Sequence, residues 1–126
     1  MTWSLRLLMV EDSATDAKLV VQELQRSGCV VEFDRVETAE AMRAALERTT
    51  WDAVTSDWSM PKFTAPAALA ILKEKGLDDV LVVIGGIIPD VDIPKLKAIG
   101  VKGIFLPGTP MQEIIEFISA NVRSRV

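Results

Sequence analysis

The chain has 126 residues, 49% hydrophobic and 25% charged, which is the profile of one globular domain long enough to bury a core. Its net charge is −4 and no basic cluster interrupts the acidic background, which argues against a nucleic-acid surface. Histidine is absent and Cys29 is the single cysteine, so His-based acid–base catalysis, His phosphorylation, His-ligated metals and an internal disulfide are excluded.

The first apolar run, Leu5 to Val10, predicts a strand over Ser4–Val10 and stops abruptly at the acidic pair Glu11-Asp12. Ala17, Val20, Val21 and Leu24 then follow the i, i+3, i+4, i+7 spacing of a buried helical stripe, which Ser27-Gly28 ends. A second strand is expected over Val30–Val36, with Cys29 buried and inert at its start. Thr38 is the N-cap of a second helix whose inner face is Met42, Ala45 and Leu46. Ala41 stands where a capping box would need Glu or Gln, so Thr38 caps alone.

A third strand over Trp51–Ser56 stops at Asp57, where Trp58 is expected to cover part of the core edge. Ala68, Ile71 and Leu72 line a third helix that stops near Gly76, and Val80–Ile84 is the fourth strand. A short fourth helix is expected from about Asp92 to Ile99, with Asp90 or Asp92 as its cap, Pro94 in its first turn and Gly100 beyond its end. Lys95, Lys97 and Lys102 read as a solvated basic face. Gly103–Leu106 is the fifth strand, and Met111, Ile114, Ile115, Ile118 and Val122 give the last helix its stripe. Arg123 and Arg125 favour the negative end of that helix.

Strict alternation of strand and helix, with strands apolar on both faces, implies a three-layer α/β/α domain: a flavodoxin-like, five-stranded parallel sheet of order 2-1-3-4-5. In that order strands 1 and 3 are neighbours, and ligands bind outside their carboxyl ends. Glu11, Asp12 and Asp57 would meet there. Three carboxylates that close repel one another unless a cation lies among them, and oxygen ligands of this kind suit Mg²⁺. The longest apolar run, Val80–Ile88, carries two glycines and is too short to span a membrane. No export signal opens the sequence, so a cytoplasmic protein is expected.

The segments LLMVEDSATDAKLVVQEL, VETAEAMRAAL and WDAVTSDWSMP keep the order and spacing of a response-regulator receiver domain, which residues 1–72 resemble. The resemblance implies Asp57 as phosphoacceptor, with Glu11, Asp12, Asp57 and the backbone carbonyl of Ser59 around Mg²⁺. A receiver also has a Ser or Thr ending its fourth strand and a Lys ending its fifth; here Gly85 and Leu106-Pro107 occupy those places, and Lys102 comes before the strand.

From about residue 73 to 126 the chain instead resembles the cobalamin-binding domain of methylmalonyl-CoA mutase. The segment GLDDVLVVIGGIIPDVDIPKLKAIGVKGIFLPGTP carries that family's GG-x-IP turn and its last-strand ending. The family's D-x-H-x-x-G and S-x-L motifs are replaced by EDSATD and SDWSM, so the cobalt ligand is missing and Gly85-Gly86 is a remnant of cofactor contact. The expectation is a non-enzymatic engineered chimera, joined between Leu69 and Gly76, that keeps a vestigial Mg²⁺ pocket. The alternatives are a degenerate receiver phosphorylated on Asp57 and a cobalamin-binding module. No certain protein partner is expected. Imperfect packing at the seam would expose apolar surface, giving a monomer or weak homodimer.

Overall fold

The computed structural model describes residues 3–58, 60, 63–77 and 80–123. Its elements alternate as β1 (Trp3–Val10), α1 (Ala14–Arg26), β2 (Cys29–Val36), α2 (Ala39–Arg48), β3 (Ala53–Asp57), α3 (Ala65–Glu74), β4 (Leu81–Gly85), α4 (Ile93–Ala98), β5 (Gly103–Phe105) and α5 (Met111–Arg123). The strands form one parallel sheet of order β2-β1-β3-β4-β5. This is the expected flavodoxin-like topology.

Strand alternation divides the core into two layers. Leu5, Leu7, Met9, Ala53 and Val83 face α1 and α5, where Ala17, Val21, Leu24, Ile115, Ile118 and Val122 cover them. Leu8, Val10, Val54, Val82 and Ile84 face the other way, under Met42 and Ala45 of α2, Ala68, Ile71 and Leu72 of α3, and Leu96 of α4. From Leu7 to Val10 strand β1 is sealed on both faces, which is why that stretch is continuously apolar. Cys29 is buried, and burial pushes its thiol up to about 11, so it is inert at neutral pH.

The helix ends follow local chemistry. Thr38 Oγ1 accepts from the Ala41 N–H at 3.1 Å, as expected. Ser13 and Thr64 cap α1 and α3 in the same way. Gly28 and Gly76 take positive φ, 91° and 71°, where the chain leaves α1 and α3. Asp92 stands at the N-cap of α4 but its side chain makes no capping bond, because its backbone is already helical and turns the carboxylate away from the first N–H groups. The capping role expected there is therefore not found. Helix α4 is also shorter than expected, ending at Ala98, and β3 begins at Ala53 instead of Trp51. Trp51 is buried beside the strand, donating its indole N–H to Ala45 O at 3.0 Å. Arg125 lies outside the described residues.

A groove of about 520 Å³ opens between α3 and α4, with Leu69, Leu72, Val80, Val82 and Ile99 among its lining. Among the described residues no helix is long and apolar enough to cross a membrane.

Candidate metal centre at the carboxyl edge of the sheet

β1 and β3 pair in parallel from Leu7↔Ala53 to Val10↔Ser56, so both end at the same edge. The residues that follow, Glu11 and Asp12 after β1 and Asp57 at the end of β3, are thereby brought together. Each offers a carboxylate oxygen, and the three oxygens lie within 4.8 Å of one another. Glu11 and Asp57 are half-buried and Asp12 is exposed. Ser59, expected as a further ligand, lies outside the described residues.

The turn that presents the acidic pair is tied from several sides. The Glu11 N–H donates to Val36 O at 3.1 Å, and Arg35 Nη1 donates to Glu11 O at 3.1 Å. The Ser13 N–H donates to the Glu11 carboxylate at 3.3 Å, and Ser13 then caps α1.

Burial is the main force on Glu11. It pushes the carboxyl up from 4.5 to about 7, against the Ser13 N–H bond that favours the anion, and the Asp57 charge, the Asp12 hydrogen bond and the Asp16 charge push the same way as burial. A carboxyl this reluctant to ionise beside two others is an electrostatic deficit that a divalent cation would remove. The donor set is oxygen throughout, which fits a hard ion such as Mg²⁺. With no imidazole and no thiolate in the cluster, the set offers none of the softer ligands that many transition metals favour.

Asp57 stands opposite Gly85 in the β3–β4 register, and the Trp58 N–H donates to Gly85 O at 2.9 Å. Trp58 is half-buried and packs on the α2–α3 side of the core, as expected of an aromatic at the core edge. Gly85 brings no hydroxyl to the site. On β5, Gly103 pairs with Val83 and Phe105 with Gly85, so Lys102 precedes the strand at its far end; Leu106 follows Phe105 and is exposed. Gly86 has φ 127°, so it makes the turn out of β4 that few other residues would accept.

One feature was not foreseen from the sequence. Beside the acids a cleft of about 310 Å³ runs between α1 and α5, with Met9, Val20, Val83, Phe105 and Ile114 in its lining along with Glu11, Asp16 and Asp57. Two stripe residues, Val20 and Ile114, are only half-buried beside it.

This is the fold of response-regulator receiver domains. The receiver domain of the Francisella response regulator 1452 superposes with a TM-score of 0.83 over 97% of this chain and 99% of its own, at 14% identity. The receiver domain of a signal-transduction histidine kinase from Syntrophus aciditrophicus gives 0.78 over 95% and 91%, at 22% identity.

Sequence relatedness points elsewhere. The 2-hydroxyisobutanoyl-CoA mutase small subunit of Aquincola tertiaricarbonis is 37% identical over 60 residues, 48% of this chain and 44% of that one. A methylmalonyl-CoA mutase of Cereibacter sphaeroides is 42% identical over 62 residues, 49% of this chain and 9% of the mutase. The chain thus spans less than half the length of these curated relatives. No family model matches it.

Proposed function

We propose that the chain is an engineered chimeric scaffold with no evolved activity, made of a receiver-type segment and a segment of mutase cobalamin-domain type. In this reading it keeps a vestigial pocket for Mg²⁺. The observation that carries this is the pairing of an assembled acidic cluster with Gly85 and Leu106 at the two positions that would complete a phosphoryl site. The likeness of the whole chain to receivers in structure, and of about half to mutases in sequence, supports a composite origin.

Glu11, Asp12 and Asp57 would hold the ion, which supplies positive charge to offset their mutual repulsion and to attract a phosphate oxygen. Asp57 is a competent nucleophile by type, since carboxylates form aspartyl-phosphates. Attack on a phosphoryl group, however, spreads charge over three equatorial oxygens. Metal alone would serve one side of that group, with no hydroxyl from Gly85 and no ammonium from Leu106. One missing donor in a comparable oxyanion site costs about 2.7–4 kcal/mol of transition-state stabilisation. Stable phosphorylation, and a conformational switch driven by it, are therefore not expected.

Intact mass after incubation with Mg²⁺ and a small phosphodonor tests this directly. The reading expects no persistent adduct. A phosphoryl adduct that Asp57→Asn abolishes would overturn it in favour of a working receiver.

A further inference from the structure

The proposed Mg²⁺ pocket depends on where Glu11 and Asp12 point, and that is set by a turn outside any strand or helix. A turn with free ends would let two like-charged carboxylates swing away from Asp57. Three ties hold it. Two of them come from β2, the strand on the opposite side of β1 from Asp57. Val36 O takes the Glu11 N–H, the bond with which the β1–β2 ladder is extended by one residue. The Glu11 carbonyl then projects beyond the ladder, and Arg35 Nη1 meets it at 3.1 Å.

We propose that Arg35 is a positioning residue for this pocket, fixing the Glu11 carbonyl so that the β1–α1 turn keeps its carboxylates facing Asp57. The proposal rests on the divalent-cation reading of the site. Arg35 pairs with Met9 in the register, two positions before Glu11, so its long side chain runs along the sheet edge toward the turn. The same Nη1 lies 3.4 Å from Glu37 Oε1, which gives the guanidinium a second anchor. The ion pair is half-exposed and contributes little stability by itself. Its use is geometric: one nitrogen, Nη1, is drawn to the Glu37 carboxylate while it donates to the Glu11 carbonyl, which keeps the guanidinium over the turn.

Arg6 provides an internal control. From midway along β1 it reaches Glu32 at 3.3 Å and the Thr49 and Thr50 hydroxyls, away from the turn that carries the acids. A general loss of cross-strand anchoring would appear in both variants, and loss of positioning only in one.

The experiment is a Mg²⁺ titration followed by tryptophan fluorescence in the parent chain, Arg35→Met, Arg35→Lys and Arg6→Met, with melting temperatures in EDTA. Amide hydrogen exchange over residues 11–13 is measured without metal. Outer partners of metal ligands commonly set about tenfold in affinity, so Arg35→Met is expected to weaken Mg²⁺ about tenfold. Arg35→Lys should recover part of this, since it keeps one donor, and Arg6→Met should leave the affinity at the parent value. Exchange at the turn should accelerate in Arg35→Met alone. Parent affinity in Arg35→Met, or an equal loss in Arg6→Met, would overturn the proposal. If the parent does not bind Mg²⁺, the metal reading fails, and unchanged exchange in Arg35→Met would then refute the positioning role on its own.

Discussion

Asp57 and Gly85 face each other across β3 and β4 as register partners, so one carboxylate of the acidic cluster has a residue without a side chain beside it. Gly85 does not use positive φ, and a Cβ built there would meet only Phe105 O, at 3.6 Å, an ordinary contact. Gly85→Ser should therefore fold normally, with stability within about 0.5 kcal/mol of the parent. Combined with Leu106→Lys it supplies both missing donors. The double variant is expected to show a beryllofluoride-dependent fluorescence change that the parent lacks, and no such change would mean that more than these two groups is absent.

Stability should depend on pH through Glu11. Its folded pKa is raised to about 7 from 4.5, so between those values the folded state binds more protons than the unfolded chain. The metal-free protein thus loses stability as pH rises from about 4.5 to 7. Glu11→Gln should flatten this slope and raise the melting temperature at pH 7.5 in EDTA. Mg²⁺ affinity should fall on acidification through pH 7, because protons compete for the same carboxylate.

Ser56 is 6% exposed and its hydroxyl has no hydrogen-bond partner among the described residues. It follows Val54 by two positions on β3, so it faces the apolar layer beneath α2 and α3. Removing an unsatisfied buried hydroxyl is neutral or favourable, and Ser56→Ala should match or exceed the parent by up to about 1 kcal/mol in urea unfolding. A loss of more than that would mean the hydroxyl is bonded.

Gly103 is glycine for a steric reason. A Cβ there would lie 2.7 Å from Phe117 Cε1 and 3.1 Å from Phe105 Cε2, between two rings that pack edge to face at 5.5 Å. Gly103→Ala must part the rings, at a cost of about 1–3 kcal/mol. Thermal unfolding of the variant measures it.

Much of this molecule was legible in the sequence because its central strands are largely sealed on both faces. The runs at Leu7–Val10 and Val80–Ile84 have the continuous apolar character of central parallel strands, and the acids ending the first and third strands meet because β1 and β3 are neighbours. What escaped was set by packing between distant segments. Trp51 reads as strand by type, yet its indole bond to Ala45 O turns it into the helix layer. Asp92 reads as a cap, but capping depends on backbone dihedrals that composition does not fix. The tie from Arg35 to Glu11 joins residues 24 positions apart and has no local signature. The cleft beside the acids likewise gathers residues far apart in the sequence, Met9, Val83, Phe105 and Ile114 among them.

The central claim is that a metal pocket persists without its phosphoryl partners. Its most direct test is a Mg²⁺ titration with and without beryllofluoride, reading tryptophan fluorescence in the parent, Trp58→Phe and Asp57→Asn. The expected result is a saturable Mg²⁺ response that requires Asp57 and is unchanged by beryllofluoride. A response that beryllofluoride tightens would contradict the account by revealing a working receiver site, and the absence of any Mg²⁺ response would leave the three acids as loop residues on a fold without a site.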